Sequence, residues 1–483
     1  MRANVYNKHT IPLSIILLIG FLFSLPMILG STFYIDDLDR LAKGYGWNQD
    51  GRPFATLFMK VLSFGMPLTD LSPFTNILSV SLLLLSGYIL SDMLNIKSTT
   101  EKITLSLLSI SSPYLLQGLS YKWDSLTISL SILLTLIPFI FINRVIIFPL
   151  ISALCLALSL LTYQASVVIY PIGFVILSLG VINKDLSFSF AILMKRFIPS
   201  LILGGVFYKI LSWILKTKYE SSRGELFFNS HSPASVLKDN FLNIFSFFKP
   251  LLESAFGYFL LISLLLSICG LLMYYNKFRD SRVFLTPLLI ASALIMVILL
   301  PLILENSPVA PRLFPGLSFA VIAVVYLVSK LNSKLSITIA VAITAFSFVV
   351  NASYFNALSS QYKYQEQIAS EVFEGGFTPK GSVVIDGRAP LSLNASLTLK
   401  KYPFLDPILP VYLNSGWVWG GKFLYNHSYI NPGQFIYTPG KAKERDAILN
   451  KKCSSPTVVQ GRTYTLRLGD GYSIIDFNKE HCR

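Results

Sequence analysis

Four carboxylates and two guanidinium groups lie directly after the first long apolar run of the chain. They belong to two short segments, Tyr34-Ile-Asp-Asp-Leu-Asp-Arg40 and Asp50-Gly-Arg-Pro53. A carboxylate in such a place could accept the proton of a hydroxyl group, and an arginine could bind a phosphate. The first turn of a helix would explain one or two acidic residues, because they interact favourably with the helix dipole. Three neighbouring carboxylates in the first segment favour a functional site.

Further polar clusters lie at the ends of later apolar runs. They are Tyr121-Lys-Trp-Asp124, Tyr163-Gln164, Glu305-Asn306 and Pro311-Arg312. On one side of a membrane, these clusters and the acidic segment would line a shared cavity. Two simpler explanations stay open. Polar residues accumulate in loops anyway, and Lys122, Trp123 and Arg312 could anchor helix ends at the membrane surface.

The composition is that of an integral membrane protein. Of the 483 residues, 53% are hydrophobic and only 13% are charged, which exceeds what the core of a soluble protein can bury. The net charge is +15, but the basic residues are scattered through short loops and form no continuous face. This distribution is typical of charges that set membrane orientation, so we expect no nucleic-acid partner.

Apolar runs that can cross the hydrocarbon core, which requires roughly 20 residues, recur about eleven times. They lie near residues 11–30, 74–93, 103–119, 125–143, 145–162, 165–182, 197–215, 251–275, 283–304, 314–330 and 335–355. The first run lacks a clear cleavage site for a signal peptidase and is predicted to remain as a helix. The sequence therefore predicts an α-helical polytopic membrane protein.

The distribution of lysine and arginine predicts the orientation. Basic residues are frequent in alternate short loops, which places the N-terminus in the cytoplasm. An odd number of spans then places the C-terminus and the polar clusters outside, in the periplasm of a Gram-negative cell. We predict a transmembrane catalytic domain at 1–355, whose first periplasmic loop is 31–73. Within that loop, 53–67 is amphipathic but too short to span, and it is predicted to lie in the membrane interface.

Residues 356–483 are predicted to form a small C-terminal domain, α/β or mostly β. Polar residues, glycines and prolines become frequent there, and two runs around Gly469-Asp-Gly471 predict a β-hairpin. Cys453 and Cys482 are expected to form a disulfide if the domain is periplasmic. Cys155 and Cys269 fall inside apolar runs and are expected to be packing residues.

The motifs also carry a resemblance to a known family. Four of them, Ile35-Asp-Asp-Leu-Asp-Arg40, Asp50-Gly-Arg-Pro53, Lys122-Trp-Asp124 and Thr162-Tyr-Gln164, follow one N-terminal span in this order. This arrangement resembles the type II family of serotype-converting O-antigen glucosyltransferases of phages and bacteria, most closely over the first third of the chain. The resemblance implies a GT-C-like fold in the bacterial inner membrane, with the active site in the periplasm.

The resemblance also implies a reaction and partners. Glucose would move from undecaprenyl-phosphate glucose to a sugar hydroxyl of lipopolysaccharide O-antigen, which is expected to be lipid-linked. The enzyme would act among inner-membrane lipids, together with a flippase and a polyprenyl-phosphate glucose synthase. Direct displacement of the phosphate would invert the anomeric configuration.

Residue roles follow from this chemistry. Asp36 or Asp37 is the expected general base, with Asp36 favoured because Arg40 stands four residues on and could orient it. The candidates for the donor phosphate are Arg52, Lys122, Arg312 and Arg40. The candidates for sugar binding are Trp123, Asp124, Tyr163, Gln164 and Glu305, of which Glu305 is also the reserve base.

No cofactor and no required metal are predicted. The four histidines are far apart in the sequence, and none has the spacing of a zinc site. Several carboxylates in one loop would permit a divalent cation without requiring it.

Two other functions stay open. Another GT-C-type polyprenyl-phosphate-sugar transferase, or an O-antigen polymerase, would show the same features. A polyprenyl-linked sugar flippase or transporter would more naturally place charges in mid-span and show repeated halves, which this sequence lacks.

Overall fold

The structure is a computed structural model that describes residues 2–183, 185–186, 189–215, 217, 225–230, 232–278, 284–306, 309–373, 379 and 381–478. Helices dominate this part of the chain. They are α1 (Arg2–Leu29), α2 (Asp37–Lys43), α3 (Pro53–Leu62), α4 (Phe74–Met93), α5 (Thr99–Leu107), α6 (Leu115–Ser120), α7 (Asp124–Leu136), α8 (Ile147–Leu160), α9 (Ile169–Ile182), α10 (Phe190–Ile214), α11 (Pro233–Leu252), α12 (Ala255–Phe278), α13 (Thr286–Ile303), α14 (Leu317–Leu331), α15 (Ser333–Phe373), α16 (Leu393–Lys401), α17 (Val418–Asn426) and α18 (Ala442–Leu449). The strands are β1 (Ser382–Asp386), β2 (Thr457–Gln460), β3 (Thr465–Gly469) and β4 (Tyr472–Asp476).

Eight helical stretches among the described residues are long and apolar enough to cross a membrane. They are Thr10–Leu29, Phe74–Met93, Asp124–Phe141, Gln164–Ile182, Phe190–Ile214, Ala255–Met273, Thr286–Ile303 and Ser333–Phe373. The prediction of a helical polytopic membrane protein is confirmed at this level. The count of about eleven spans is not confirmed, and the orientation that depends on it stays a prediction.

Three of the predicted spans take a different form in the structure. The run 103–119 is divided between α5, a 3₁₀ turn at Leu108–Ile110 and α6. Ser111-Ser-Pro113 separates the 3₁₀ turn from α6, because proline lacks the N–H that a continuing helix needs. The runs 145–162 and 314–330 form α8 and α14, of 14 and 15 residues. Both are shorter than a usual span.

Contacts divide the chain into two compact units. The first unit comprises Met1–Leu29, Tyr45–Ala352 and Tyr402–Pro407, and the second comprises Gly30–Gly44, Ser353–Lys401 and Ile408–Arg483. Residues 30–44, which contain the acidic segment, thus belong to the same unit as most of the C-terminal residues. The domain boundary after residue 355 stays a prediction.

In the first unit, hydroxyl groups join helices that pack side by side. α7 packs on α4 and α8, and the hydroxyls of Ser131 on α7 and Ser159 on α8 lie 2.9 Å apart. Ser131 Oγ also donates to the carbonyl of Tyr163 at 3.0 Å. Hydrogen bonds between buried hydroxyls are a usual means of joining apolar helices. They fix the chain just before Gln164.

Helix α3 is amphipathic, as the sequence predicts. It buries Ala55 and Met59 and leaves Leu57 and Val61 exposed. An exposed apolar stripe on a helix too short to span suits a position in the membrane interface.

The second unit contains a four-stranded sheet with the order β1-β4-β3-β2. β1 pairs parallel to β4, and the other two pairs are antiparallel. The predicted hairpin forms between β3 and β4, where Gly471 takes a positive φ of 75° that glycine adopts without strain. Together with α16, α17 and α18 the sheet makes this part an α/β arrangement.

A buried lysine ties the strands of the sheet together. Lys452 lies 2.7 Å from Asp386 on β1 and 2.7 Å from Asp476 on β4. Asp476 is fully buried, and Arg467 on β3 lies 3.4 Å from it. Buried carboxylates persist in proteins when they are paired in this way. Next to this lysine, Cys453 is disulfide-bonded, whereas Cys482, its predicted partner, lies outside the described residues.

Candidate active site

A buried carboxylate begins helix α7 in the first unit. Asp124 is the first residue of α7 and is 6% exposed. The indole Nε1 of Trp47 donates to its Oδ1 at 2.7 Å, and the guanidinium of Arg52 lies 3.8 Å from the same oxygen. A carboxylate in the first turn interacts favourably with the helix dipole. The position therefore stabilises a negative charge that also orients Arg52.

Arg52 is held from three sides. Its Nε donates to Oε1 of Gln164 at 3.1 Å, and its guanidinium lies over the ring of Tyr163, 4.8 Å from the ring centre. Asp124 is the third partner. The Arg52 side chain stays 23% exposed, so a planar cation is fixed in direction and still accessible. We call Trp47, Arg52, Asp124, Tyr163 and Gln164 the Arg52 group.

Tyr163 links the Arg52 group to a second arginine. Its hydroxyl donates to the backbone carbonyl of Arg312 at 3.0 Å. The Arg312 guanidinium donates to the hydroxyl of Tyr121 at 2.7 Å, and the Arg312 N–H donates to Oε1 of Gln117 at 2.9 Å. Arg312 is half-buried in a 3₁₀ turn, Pro311–Leu313. Two predicted phosphate-binding residues and three predicted sugar-binding residues are thus connected through direct contacts.

Three other predicted residues have different surroundings. Lys122 pairs with Asp70 at 2.9 Å, so its charge is offset by a carboxylate. Trp123 is only 2% exposed, so it packs as an interior residue. Glu305 is half-buried and its N–H donates to the carbonyl of Glu225 at 2.9 Å. Their roles in substrate binding stay predictions.

The second unit contains the acidic segment, in which the three aspartates have different surroundings. Asp37 is fully buried, and its Oδ2 accepts the N–H of Tyr34 at 3.1 Å. Asp39 pairs with Lys422 of α17 at 2.6 Å and with Lys43 at 3.3 Å. Asp36 precedes α2 and is half-buried. Arg40 is 2% exposed.

The surroundings of Asp39 lower its pKa. Burial alone would raise the pKa of this carboxyl, but the hydrogen bond and the charge of Lys422, with the charge of Lys43, hold the pKa below its ordinary value. Asp39 therefore stays ionised near neutral pH and is occupied by two ammonium groups. Asp36 is half-buried, like Asp39, and stands directly before α2.

The described residues contain no group of three or more His, Cys, Asp or Glu side chains that could hold a metal ion. That the enzyme requires no metal stays a prediction.

Several residues that complete these arrangements were not predicted from the sequence. Trp47 and Asp70 are in the first unit, and Lys422 is in the second. A lone tryptophan between Gly46 and Asp50 in a charged loop is a signal that could have pointed to Trp47. The others lie far along the chain from their partners and leave no local pattern.

Comparison with known proteins identifies the class. Residues 25–326, well over half of this chain, match the family described as Glucosyl transferase GtrII. A protein of Salmonella phage P22, described as an uncharacterized 55.3 kDa protein in the gtrB 5′ region, is 24% identical over 452 residues, covering 86% of this chain and 89% of that protein. No solved structure matches this chain.

In this helical membrane protein, an accessible arginine is fixed between a carboxylate, an amide and an aromatic ring. Such an arginine is suited to bind a sugar with an anionic leaving group. The match defines the class, a glycosyltransferase with several apolar helices. This chain belongs to the GtrII family of glucosyl transferases. The resemblance to serotype-converting glucosyltransferases is confirmed.

Proposed function

We propose that the enzyme transfers glucose from undecaprenyl-phosphate glucose to a sugar hydroxyl of a lipid-linked O-antigen, with inversion at the anomeric carbon. The reaction would occur on the periplasmic face of the bacterial inner membrane. The observation that carries this proposal is the Arg52 group, because it offers an oriented, accessible guanidinium linked through Tyr163 to Arg312. Guanidinium groups match the geometry of phosphate oxygens better than any other side chain.

The chemistry of the donor explains why arginines are needed. When the glycosidic bond breaks, negative charge grows on the phosphate of the polyprenyl carrier. A fixed cation stabilises this charge more in the transition state than in the bound donor, which is what lowers the barrier. The leaving phosphate is weakly basic, so no general acid is required. We assign the stabilisation of the phosphate charge to Arg52 and Arg312.

The neighbours of Arg52 have supporting roles in this proposal. Asp124 is buried, so it orients Arg52 and has little contact with solvent. Gln164 is half-buried, and its amide could also bind a hydroxyl of the glucose. Tyr163 is covered by the guanidinium, so it serves as a platform for the cation in place of a sugar.

The acceptor hydroxyl needs a base. We assign this role to Asp36, because a carboxylate within hydrogen-bond reach of the hydroxyl can take its proton as the new bond forms. Attack from the side opposite the phosphate inverts the anomeric carbon. The role of Asp36 as the base is tested separately from the role of Arg52.

The donor also implies partners. A polyprenyl-phosphate glucose synthase would make the donor on the cytoplasmic side, and a flippase would carry it across the membrane. The lipid-linked O-antigen would be the acceptor.

The test is a glucose-transfer assay with the purified full-length enzyme. It uses undecaprenyl-phosphate glucose as donor, an O-antigen glycolipid as acceptor, and NMR of the product to determine the linkage. We expect transfer with inversion, and a loss of about a hundredfold or more in kcat/KM for Arg52→Gln, as for removal of other groups that stabilise transition-state charge. Lys60→Gln, which removes an exposed cation from α3, is the matched control and should keep the wild-type rate.

Three results would count against the proposal. Transfer from a nucleotide sugar alone would exclude the lipid donor. Retention of the donor's anomeric configuration would exclude direct displacement. Arg52→Gln with wild-type kinetics would exclude the phosphate assignment.

A further inference from the structure

The backbone is strained at the residue that precedes Asp36. Ile35 has a positive φ of 45°, in the left-handed region that β-branched residues avoid because the side chain crowds the backbone. Strained conformations of this kind persist only where the surrounding structure enforces them, and they are concentrated at functional sites. A contact that enforces the conformation of Ile35 also determines the direction in which the chain enters Asp36.

Tyr412 makes that contact within the second unit. Its hydroxyl accepts the N–H of Ile35 at 3.0 Å and donates to the carbonyl of Phe33 at 3.0 Å. One hydroxyl thus bridges the two peptide groups on either side of Tyr34. The Tyr412 ring is buried and stacks on Phe423, with ring centres 5.2 Å apart, and on Trp417, with ring centres 5.8 Å apart. This packing restricts the Tyr412 hydroxyl to one position.

The protonation of Tyr412 suits this role. Burial raises the pKa of its hydroxyl well above the ordinary value. The group therefore stays protonated, and can donate to Phe33, throughout the pH range in which an enzyme works.

Helix α17 holds the other side of the acidic segment. Lys422 binds the carboxylate of Asp39 at 2.6 Å, and Nδ2 of Asn426 donates to the carbonyl of Leu38 at 2.6 Å. These two residues are four apart on α17, so they lie on one face of that helix. The acidic segment is thereby fixed at both ends, before and after Asp36.

We propose that Tyr412, supported by Lys422 and Asn426, is a positioning residue that fixes the direction of the Asp36 carboxylate by holding Ile35 in its strained conformation. The inference rests on the proposed role of Asp36 as the base. It gives the C-terminal residues a part in the transfer step, although none of them needs to contact a substrate. A displacement of about 1 Å at a catalytic group is enough to lower a rate by about a hundredfold.

The first test removes the hydroxyl and then removes the strain. Tyr412→Phe in the full-length enzyme should lower kcat by about ten- to a hundredfold and leave the KM for the donor within about twofold, because positioning acts on the transition state. Ile35→Gly combined with Tyr412→Phe should recover at least half of the loss on a logarithmic scale, because glycine adopts a positive φ without strain. The matched control is Tyr472→Phe, which removes a hydroxyl that lies 2.9 Å from Ser455 Oγ in the same unit.

The second test uses the ion pair and does not depend on Tyr412→Phe being stable. Lys422→Met should lower kcat, whereas Lys422→Arg should keep kcat near the wild-type value because the positive charge is kept. The exchanged pair Asp39→Lys with Lys422→Asp should also regain activity over Lys422→Met. Membrane levels and unfolding midpoints are measured for every variant, so that loss of protein is separated from loss of rate.

The outcomes separate this inference from the proposed function. If Asp36→Asn abolishes transfer while Tyr412→Phe and Lys422→Met keep the wild-type kcat, the positioning role is overturned and the base assignment stands. If Ile35→Gly does not raise the activity of a well-folded Tyr412→Phe enzyme, the role of the strain is overturned. If Asp36→Asn is fully active, the base assignment fails, and the positioning role fails with it.

Discussion

At the scale of single residues, the structure divides the aspartates of the acidic segment by surroundings. Asp37 is fully buried against the N–H of Tyr34, and Asp39 is occupied by Lys422 and Lys43. Asp36 is half-buried and stands directly before α2. Residue type and spacing in the sequence indicated the chemistry of this segment. They could not predict the different surroundings of its three carboxylates, because those surroundings depend on side chains far along the chain.

This division makes a prediction for Asp36 and Asp37. Asp36→Asn should lower kcat by about a hundred- to ten-thousandfold, the usual contribution of a general base. Asp37→Asn should keep kcat within about threefold and lower the unfolding midpoint instead, because a buried hydrogen-bond acceptor is weakened. Glucose transfer and thermal unfolding of the same preparations provide both measurements.

Asp50→Asn is the control, since Asp50 is exposed, and it should change neither quantity. A well-folded Asp37→Asn enzyme without activity, beside an active Asp36→Asn enzyme, would reverse the assignment.

At the scale of elements, the polar groups of the candidate site stand where helices begin. Asp124 starts α7, Gln164 starts a 3₁₀ turn before α9, and Arg52 directly precedes α3. Helix N-termini carry partial positive charge and favour anions. The sequence allowed the prediction that these clusters lie at the ends of apolar runs. The direct contacts between them were not predictable, because periodicity gives the ends of helices but not which ends meet.

The pairing of α2 with α17 predicts a dependence of stability on pH. The pKa of Asp39 is lower in the folded chain than in the unfolded chain, where it is about 3.9. The pair therefore adds stability above the unfolded pKa, and this stability is lost as the pH falls through the folded pKa. Asp39→Asn should destabilise the protein by about 0.5 kcal/mol at pH 7, as for a partly exposed ion pair, and progressively less below pH 4.

The measurement is the unfolding midpoint of the two proteins in detergent between pH 7 and pH 2. Asp470→Asn removes an exposed carboxylate from the turn between β3 and β4 and should show no such trend. An equal difference between wild type and Asp39→Asn at all pH values would contradict the ion pair.

At the scale of the whole molecule, composition was enough to predict a helical membrane protein, and a Gly-Asp-Gly turn was enough to predict the hairpin of the C-terminal sheet. The number of spans was not predictable in the same way. A window of apolar residues does not distinguish a helix that continues from one that a Ser-Ser-Pro sequence interrupts, as between α5 and α6. Nor could the sequence predict that residues 30–44 belong to the second unit.

The two arginines of the candidate site lead to a prediction about metal ions for the intact enzyme. Treatment with EDTA should leave the rate of glucose transfer unchanged, and added Mg²⁺ or Mn²⁺ should not raise it, because the arginines supply the positive charge that a divalent cation would otherwise provide. The measurement is the transfer rate before and after chelation.

A divalent cation that restores a chelated, inactive enzyme would contradict this expectation. Arg52→Gln should stay inactive with added cation, which separates the role of the arginine from that of a metal.

The distance along the chain between the acidic segment and its partners has a consequence for how the enzyme is made. Ile35 and Tyr412 are 377 positions apart, and Leu38 and Asn426 are 388 apart. The ribosome therefore synthesises every residue that we propose to contact the substrate long before it synthesises the residues that hold the acidic segment. A chain that stops before Tyr412 would contain all the proposed catalytic groups and still be inactive. The newly inserted protein should therefore gain transfer activity only after its last quarter has been synthesised.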